Sequence, residues 1–414
     1  MPTTDATPLQ RPINHHILNQ HIEEAAFCWL RRQEALWRPS YRCSHLQRLD
    51  QLLDAHLEGL RVAGPAALPI AIGNLERWKT PDEVFACTYT LLQQGNGVDW
   101  SALEQVLEAQ PSAAKGAAAA LIWNRTSAAA ESLKHWGDSA VPALRAASVS
   151  AFAVTHAGDG PSVHAAWLAK TLEDTSAAVR ARALRCIGEW RLPAHAKHLP
   201  AAFNGDEPPC RFESAYAMAW LGMPEADAAL LATLPQMQGS RQRRALLLFA
   251  LTAQPDAFES WIQHAQADAA QSRALIWSLA FRGNALALRK LLEFLHVPQY
   301  ARLAGYAIAH ITGLDMDEQG LWQPEHQHAA DTPHFSEDDG LLVPDIERLT
   351  DWVARYMTSM PRNAYLLAGQ DMRPDNARPL LLAGWLPQRW QTSVLLDMAD
   401  RRQHVLSQVP SPRL

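Results

Sequence analysis

The best-spaced metal-ligating group in the sequence is His326-x-His328, with Glu325 before it and His334 further on. In an extended segment the two rings of an HxH project to the same side. Imidazole and carboxylate together suit zinc and other first-row metals. A closed site needs a further ligand cluster, and none stands nearby in sequence, so a solvated acidic loop is the competing reading. His15-His16 is a poorer pair, set in the lead-in of the chain.

Covalent chemistry finds no starting point. There is no GxSxG elbow, no phosphate-cradling Gly-rich loop ending in Lys-Ser/Thr, and no GxGxxG opening a helix. The five cysteines (Cys28, Cys43, Cys87, Cys186 and Cys210) form no CxxC pair and are odd in number. Their apolar helical surroundings read as reduced core thiols. Among paired carboxylates, Glu23-Glu24 reads as the first turn of a helix and Asp338-Asp339 as part of a solvated loop. No catalytic residue and no cofactor is expected.

Recognition chemistry is better represented. Arginines cluster at Arg180, Arg182 and Arg185 and at Arg241, Arg243 and Arg244, and the chain holds 15 tryptophans. Tryptophan and arginine are enriched at binding hot spots, although tryptophans at helix junctions also fill gaps between packed helices. The candidate partner-binding residues are Trp190, Trp220, Arg180, Arg211, Arg244 and Trp322. A basic groove of this kind would also suit nucleic acid, as in DNA glycosylases built from helical repeats. The formal net charge of −6 argues against a general nucleic-acid binder.

The elements that must position these residues are helices. Alanine and leucine dominate, β-branched residues are sparse, and apolar residues make up 48% of 414 positions. Many of the 27 prolines (Pro81, Pro111, Pro161, Pro193, Pro224 and Pro255 among them) stand where a helix would begin, where a missing N–H costs nothing. His21–Trp37 and Ser44–Val62 read as amphipathic helices, the second with His56 on its leucine stripe. Further helices are expected at 65–78, 81–92, 100–108 and 112–123.

A period then emerges. Arg145, Arg180, Arg211, Arg243, Arg273 and Arg302 follow one another at intervals of 35, 31, 32, 30 and 29 residues. Each opens a run of small and apolar residues, and each run closes at a turn signal: Gly158, Gly188, Gly222, Gln254-Pro255, Gly283 or Gly313. Asp174–Trp190 is the clearest unit. Asp138, Asp174, Asp206 and Asp268 precede four of the arginines and can cap the helix or answer an arginine. Two helices per unit of about thirty residues is a solenoid signature, because a lone helix pair cannot bury its apolar face and stacking closes the core.

The expected fold is therefore all-α, a HEAT-like α-solenoid with a divergent C-terminal helical cap. Residues 1–16 read as a flexible lead-in, 17–125 as an irregular helical region and 126–313 as the repeats. Residues 314–340 read as an acidic loop and 341–414 as the cap, in which 362–369 is a strand or a turn of helix. No run of apolar residues is long enough to span a membrane, and no signal peptide opens the chain, which together point to the cytoplasm.

Three segments taken in order resemble a known family: HIEEAAFCWLRRQ with LQRLDQLLDAHLEGLRVAG (21–33, 46–64), ARLAGYAIAHITGLDM (301–316), and LLVPDIERLTDWVARY through PQRWQTSVLLDMA (341–399). This is a proteobacterial family of uncharacterised HEAT-repeat proteins, with EEAAF-W, ITG-D and P-D---V--W motifs. Glu23, Glu24, Trp29, Thr312, Gly313, Asp315, Pro344, Asp345 and Trp352 match its positions, and Cys28 departs from its more hydrophobic EEAAFLWL. Some members are encoded among type VI secretion genes. The resemblance thus implies a non-catalytic scaffold, an adaptor or chaperone for a secreted effector or spike component. A HEAT-like nucleic-acid-binding or glycosylase-type enzyme is the alternative. A lyase-like modifier of a tetrapyrrole-bearing protein is a third reading that no residue demands.

Overall fold

A computed structural model describes residues 14–95, 97–124, 126–158, 161–323 and 335–400. They are helical almost throughout, with one two-stranded hairpin. Two compact units divide the chain: one comprises residues up to Arg32 together with Leu49–Ala151, the other Gln33–Arg48 together with Phe152 onward. The sequence placed its change of character near residue 125; the packing divides between Ala151 and Phe152, within the helix that carries the first repeat arginine, Arg145.

The first unit is built from α1 (His15–Ala35), α2 (Cys43–Ala63), α3 (Leu68–Trp78), α4 (Pro81–Leu92), α5 (Ser101–Ala109), α6 (Ala114–Trp123), α7 (Ser127–Gly137) and α8 (Pro142–Thr155). The last turn of α1, the first turns of α2 and the end of α8 belong to the second unit. Its helices begin as proline and polar caps dictate: Pro81 stands at the first position of α4, and the Thr126 hydroxyl accepts from the Ala129 N–H at the start of α7. Gly116 is obligatory, since a Cβ there would lie 1.9 Å from the Pro81 carbonyl oxygen, so α4 and α6 cross at backbone contact. Trp29 stacks on Phe85 with ring centroids 5.2 Å apart. Within this core Arg32 and Asp50 form a fully buried pair at 2.6 Å. Because α1 starts at His15, Glu23-Glu24 sits in mid-helix and not in a first turn, a correction to the sequence reading.

The second unit holds the repeats. Five helix pairs follow: α9 (Pro161–Leu172) with α10 (Ala177–Glu189), α11 (His198–Phe203) with α12 (Pro208–Leu221), α13 (Ala226–Thr233) with α14 (Gly239–Thr252), α15 (Pro255–Ala267) with α16 (Ser272–Arg282), and α17 (Ala285–Leu295) with α18 (Pro298–Thr312). The second helices pack in a row, α10 on α12, α12 on α14, α14 on α16 and α16 on α18. This is a HEAT-like solenoid: a core running from Leu168 through Leu184, Leu247 and Leu279 to Ile308 is buried between successive pairs. Gly222, Gly283 and Gly313 end α12, α16 and α18 in the left-handed conformation, as the turn signals predicted. Gly188 does something else. It lies inside α10, where a Cβ would come 2.5 Å from the Cα of Ala217, so it marks the close crossing of α10 and α12 and not a turn.

The C-terminal region continues with α19 (Ile346–Ser359), the hairpin β1 (Leu366–Leu367) and β2 (Gln370–Asp371), α20 (Pro374–Ala377), α21 (Leu380–Ala383) and α22 (Leu386–Asp400). The hairpin resolves the alternative left open for 362–369. It docks on helix ends: the Leu366 N–H donates to the Gly283 carbonyl, and those of Ala368 and Gly369 donate to the His310 and Ile311 carbonyls. Carbonyls that α16 and α18 leave unpaired are thus satisfied. In α22, Gln391 bonds to the Phe281 carbonyl and to His310, whose other ring nitrogen meets the Tyr306 hydroxyl. Burial pushes the His310 imidazole down to about 4. Residues 33–48 also pack here, with Trp37 stacked on Trp390 at 4.6 Å and Arg42 over the Trp385 ring. No helix among the described residues is long and apolar enough to cross a membrane.

Candidate interaction site: the arginine row

The repeat period puts Arg180, Arg211, Arg243, Arg273 and Arg302 in the first turns of α10, α12, α14, α16 and α18. Because those helices pack side by side, the arginines form a row within the second unit. Arg145, at the start of α8 in the first unit, donates to the Ser139 carbonyl at 2.8 Å.

Most of the row is occupied by the chain's own acceptors. Arg180 reaches from the Asp174 carbonyl to the carboxylate of Glu207, the residue that precedes α12, and so braces one repeat against the next. Arg243 donates to the Trp37 carbonyl and pairs with Glu337. Arg273 grips Asp338 through both terminal nitrogens, at 2.8 and 2.7 Å, and also reaches Glu337. Its guanidinium lies 4.2 Å from the centroid of the Phe335 ring. Arg302 donates to the Leu341 carbonyl at 2.7 Å. From the other side Arg38 meets Asp339, and the Ser40 hydroxyl donates to the Asp339 carbonyl.

Residues 335–341 are therefore pinned to the repeats, although Phe335, Glu337, Asp339 and Gly340 stay exposed. Asp338 is only 1% exposed, and the acidic run lies against the N-terminal turns of α14, α16 and α18. Carboxylates are favoured there both by the guanidinium ions and by helix N-termini. The sequence reading of Asp338-Asp339 as solvated is corrected for Asp338, while Asp339 is exposed as expected. The spacing of the arginines is a local pattern, but their partners are not, since Glu337 lies 94 residues from Arg243.

Arg211 differs from its neighbours. No carboxylate among the described residues lies within pairing distance of it. Its guanidinium carbon is 5.9 Å from the Phe203 ring centroid, and its buried Nε has no hydrogen-bond partner there. Beside it a second layer of charge runs along the same helices. Arg185 and Arg182 pair with Glu189 at 2.6 and 3.2 Å, while one terminal nitrogen of Arg244 donates to both Glu213 carboxylate oxygens at 2.9 Å and the guanidinium lies over Tyr216. Arg241, 43% exposed, approaches Glu213 at 3.3 Å. Burial alone would raise the Glu213 carboxyl, but Arg244, Arg185 and Arg241 hold it below its ordinary range. Glu189 is held low in the same way by Arg185, Arg182 and Arg244.

The tryptophans singled out earlier are distributed differently. Trp190 is buried in an aromatic stack with His164 at 4.0 Å and Trp167 at 5.1 Å. Trp220 is partly exposed beneath the Arg191 guanidinium. Trp322 donates to Asp317 at 2.6 Å and bridges to Pro344. His326, His328 and His334, the metal candidates, lie outside the described residues.

Residues 165–251, spanning α9 to α14, match the HEAT repeats family. No curated protein and no solved structure matches the chain. The chain is thus a helical-repeat protein whose matched portion carries the Arg180–Arg211 end of the row and its flanking charge layer.

Proposed function

We propose that the protein is a non-catalytic scaffold that binds a protein partner through the arginine row. The observation that carries this reading is Arg211. Its neighbours Arg180, Arg243 and Arg273 each hold a carboxylate of the chain itself, and Arg211 stands among them with none among the described residues. An acidic segment of a partner laid along α10, α12 and α14 would complete the row as Glu337 and Asp338 complete its other end. Repeat arrays commonly serve as extended binding surfaces.

The narrower reading is that of an adaptor or chaperone for a type VI secretion effector. It is supported by the resemblance of the three ordered segments and by the absence from the sequence of any assembled catalytic motif. A nucleic-acid-binding or glycosylase-type enzyme is the rival. Against it, Glu189, Glu207 and Glu213 interleave the basic residues and would oppose a phosphate backbone.

Purification of the chain from the organism that encodes it, with and without nuclease, tests the choice. The scaffold reading expects a discrete protein in defined ratio that survives nuclease treatment. Recovery of nucleic acid alone, or of the chain alone at cellular concentration, would overturn it.

A further inference from the structure

We propose that the first unit carries a zinc site formed by His21, Glu24, Cys28 and His56. On α1 the first three stand at positions i, i+3 and i+7, one stripe of the helix, and α2 brings His56 onto the same spot. A carboxylate oxygen of Glu24, the Cys28 sulfur and a ring nitrogen of His56 all lie within 4.8 Å of one another. The Nδ1 atoms of His21 and His56 are 3.1 Å apart, with ring centroids at 5.3 Å and planes inclined by 63°. Tetrahedral zinc, with Zn–N near 2.0 Å and Zn–S near 2.3 Å, needs ligand atoms about 3.3–3.6 Å apart. The imidazole nitrogens, at 3.1 Å, stand slightly closer than that, and the Glu24, Cys28 and His56 atoms, within 4.8 Å, must draw in around the ion.

The donor set discriminates among metals. Two imidazoles, a thiolate and a carboxylate suit a borderline ion such as zinc and disfavour calcium and magnesium, which take oxygen ligands. The packing makes room for the set. Gly59, one turn beyond His56, faces the His21 ring, and a Cβ there would sit 2.8 Å from its Cε1 and Nε2. Cys28 is buried while His21, Glu24 and His56 are half-buried, so a cation has a path from solvent. Without a cation, burial and then Glu24 push the Cys28 thiol up, and burial and then His21 hold the His56 imidazole down. A neutral imidazole is the form that ligates, and a metal would draw the thiol to thiolate with release of its proton. The competing arrangement is a hydrogen bond between two neutral imidazoles with no ion.

Metal analysis of the full chain, prepared without a histidine tag, decides between them. After chelator dialysis and reconstitution with zinc sulfate, one equivalent of zinc per chain is expected. Cys28→Ser and His56→Ala should each lose it, and Cys87→Ser should keep it. Cobalt(II) loading of the unmutated chain should give a thiolate-to-cobalt charge-transfer band and intense tetrahedral d–d bands, a readout that depends on no variant folding. Substoichiometric zinc, a cobalt spectrum without the thiolate band, or full zinc retention in a folded Cys28→Ser chain would overturn the proposal.

Discussion

Replacing Asp338 by alanine removes the centre of the clamp that holds residues 335–341 on the repeats. The carboxylate is 1% exposed and accepts two hydrogen bonds from Arg273. Breaking a buried ion pair by deleting one partner costs about 3–5 kcal/mol when the remaining charge is stranded. Arg273 would not be wholly stranded: it is 17% exposed and still has Glu337 within 3.3 Å. The expected cost is therefore nearer to 2 kcal/mol, which at 1.36 kcal/mol per decade is about a thirtyfold rise in local opening. Hydrogen exchange reads this directly, because the amides of Asp338 and Leu341 are held by the Phe335 and Asp338 carbonyls at 2.8 and 2.9 Å. Exchange in a peptide covering 335–345 should accelerate by roughly that factor in Asp338→Ala. Peptides from α9 and α10 should be unchanged. If exchange in 335–345 changes by less than about threefold, the clamp does not hold the segment and the reasoning fails.

Other consequences are as concrete. Gly188→Ala forces a methyl into the Ala217 backbone at 2.5 Å, and overpacking of that kind should lower unfolding stability by about 1–3 kcal/mol, read as a lowered denaturant midpoint. His310 gives a pH signature. Burial holds its folded-state value near 4, against an ordinary 6.5. The unfolded chain then binds the proton first, so this contribution is complete above 6.5 and lost as pH falls from there toward 4. Midpoints measured across that range should decline in the unmutated chain, and the decline should be shallower in His310→Gln.

How much of this was legible in the sequence depends on range. The helices were, because Pro81, Pro255 and Pro298 sit at helix starts and Gly222, Gly283 and Gly313 just past helix ends, all local signals. The arginine period was legible for the same reason. Gly188 misled because a glycine near a helix end reads as a terminator, and only the neighbouring helix reveals the crossing. The partners of Arg243 and Arg273 were hidden because they lie across intervening helices, and acidity alone suggested solvent. The His21–Glu24–Cys28 stripe was available as an i, i+3, i+7 pattern. His56 had been absorbed into a leucine stripe, and nothing local sets the register of α2 against α1.

The central claim is that the row binds a protein through Arg211, which no carboxylate among the described residues pairs. Titration calorimetry with the co-purified partner tests it most directly, comparing the unmutated chain with Arg211→Glu and with the Arg211→Glu/Arg241→Glu pair. Arg241 is chosen as the more exposed neighbour. The account predicts at least a roughly tenfold loss of affinity, about 1.4 kcal/mol, for the single variant, a larger loss for the pair, and weakening with salt. An affinity unchanged within about twofold in folded variants would contradict it.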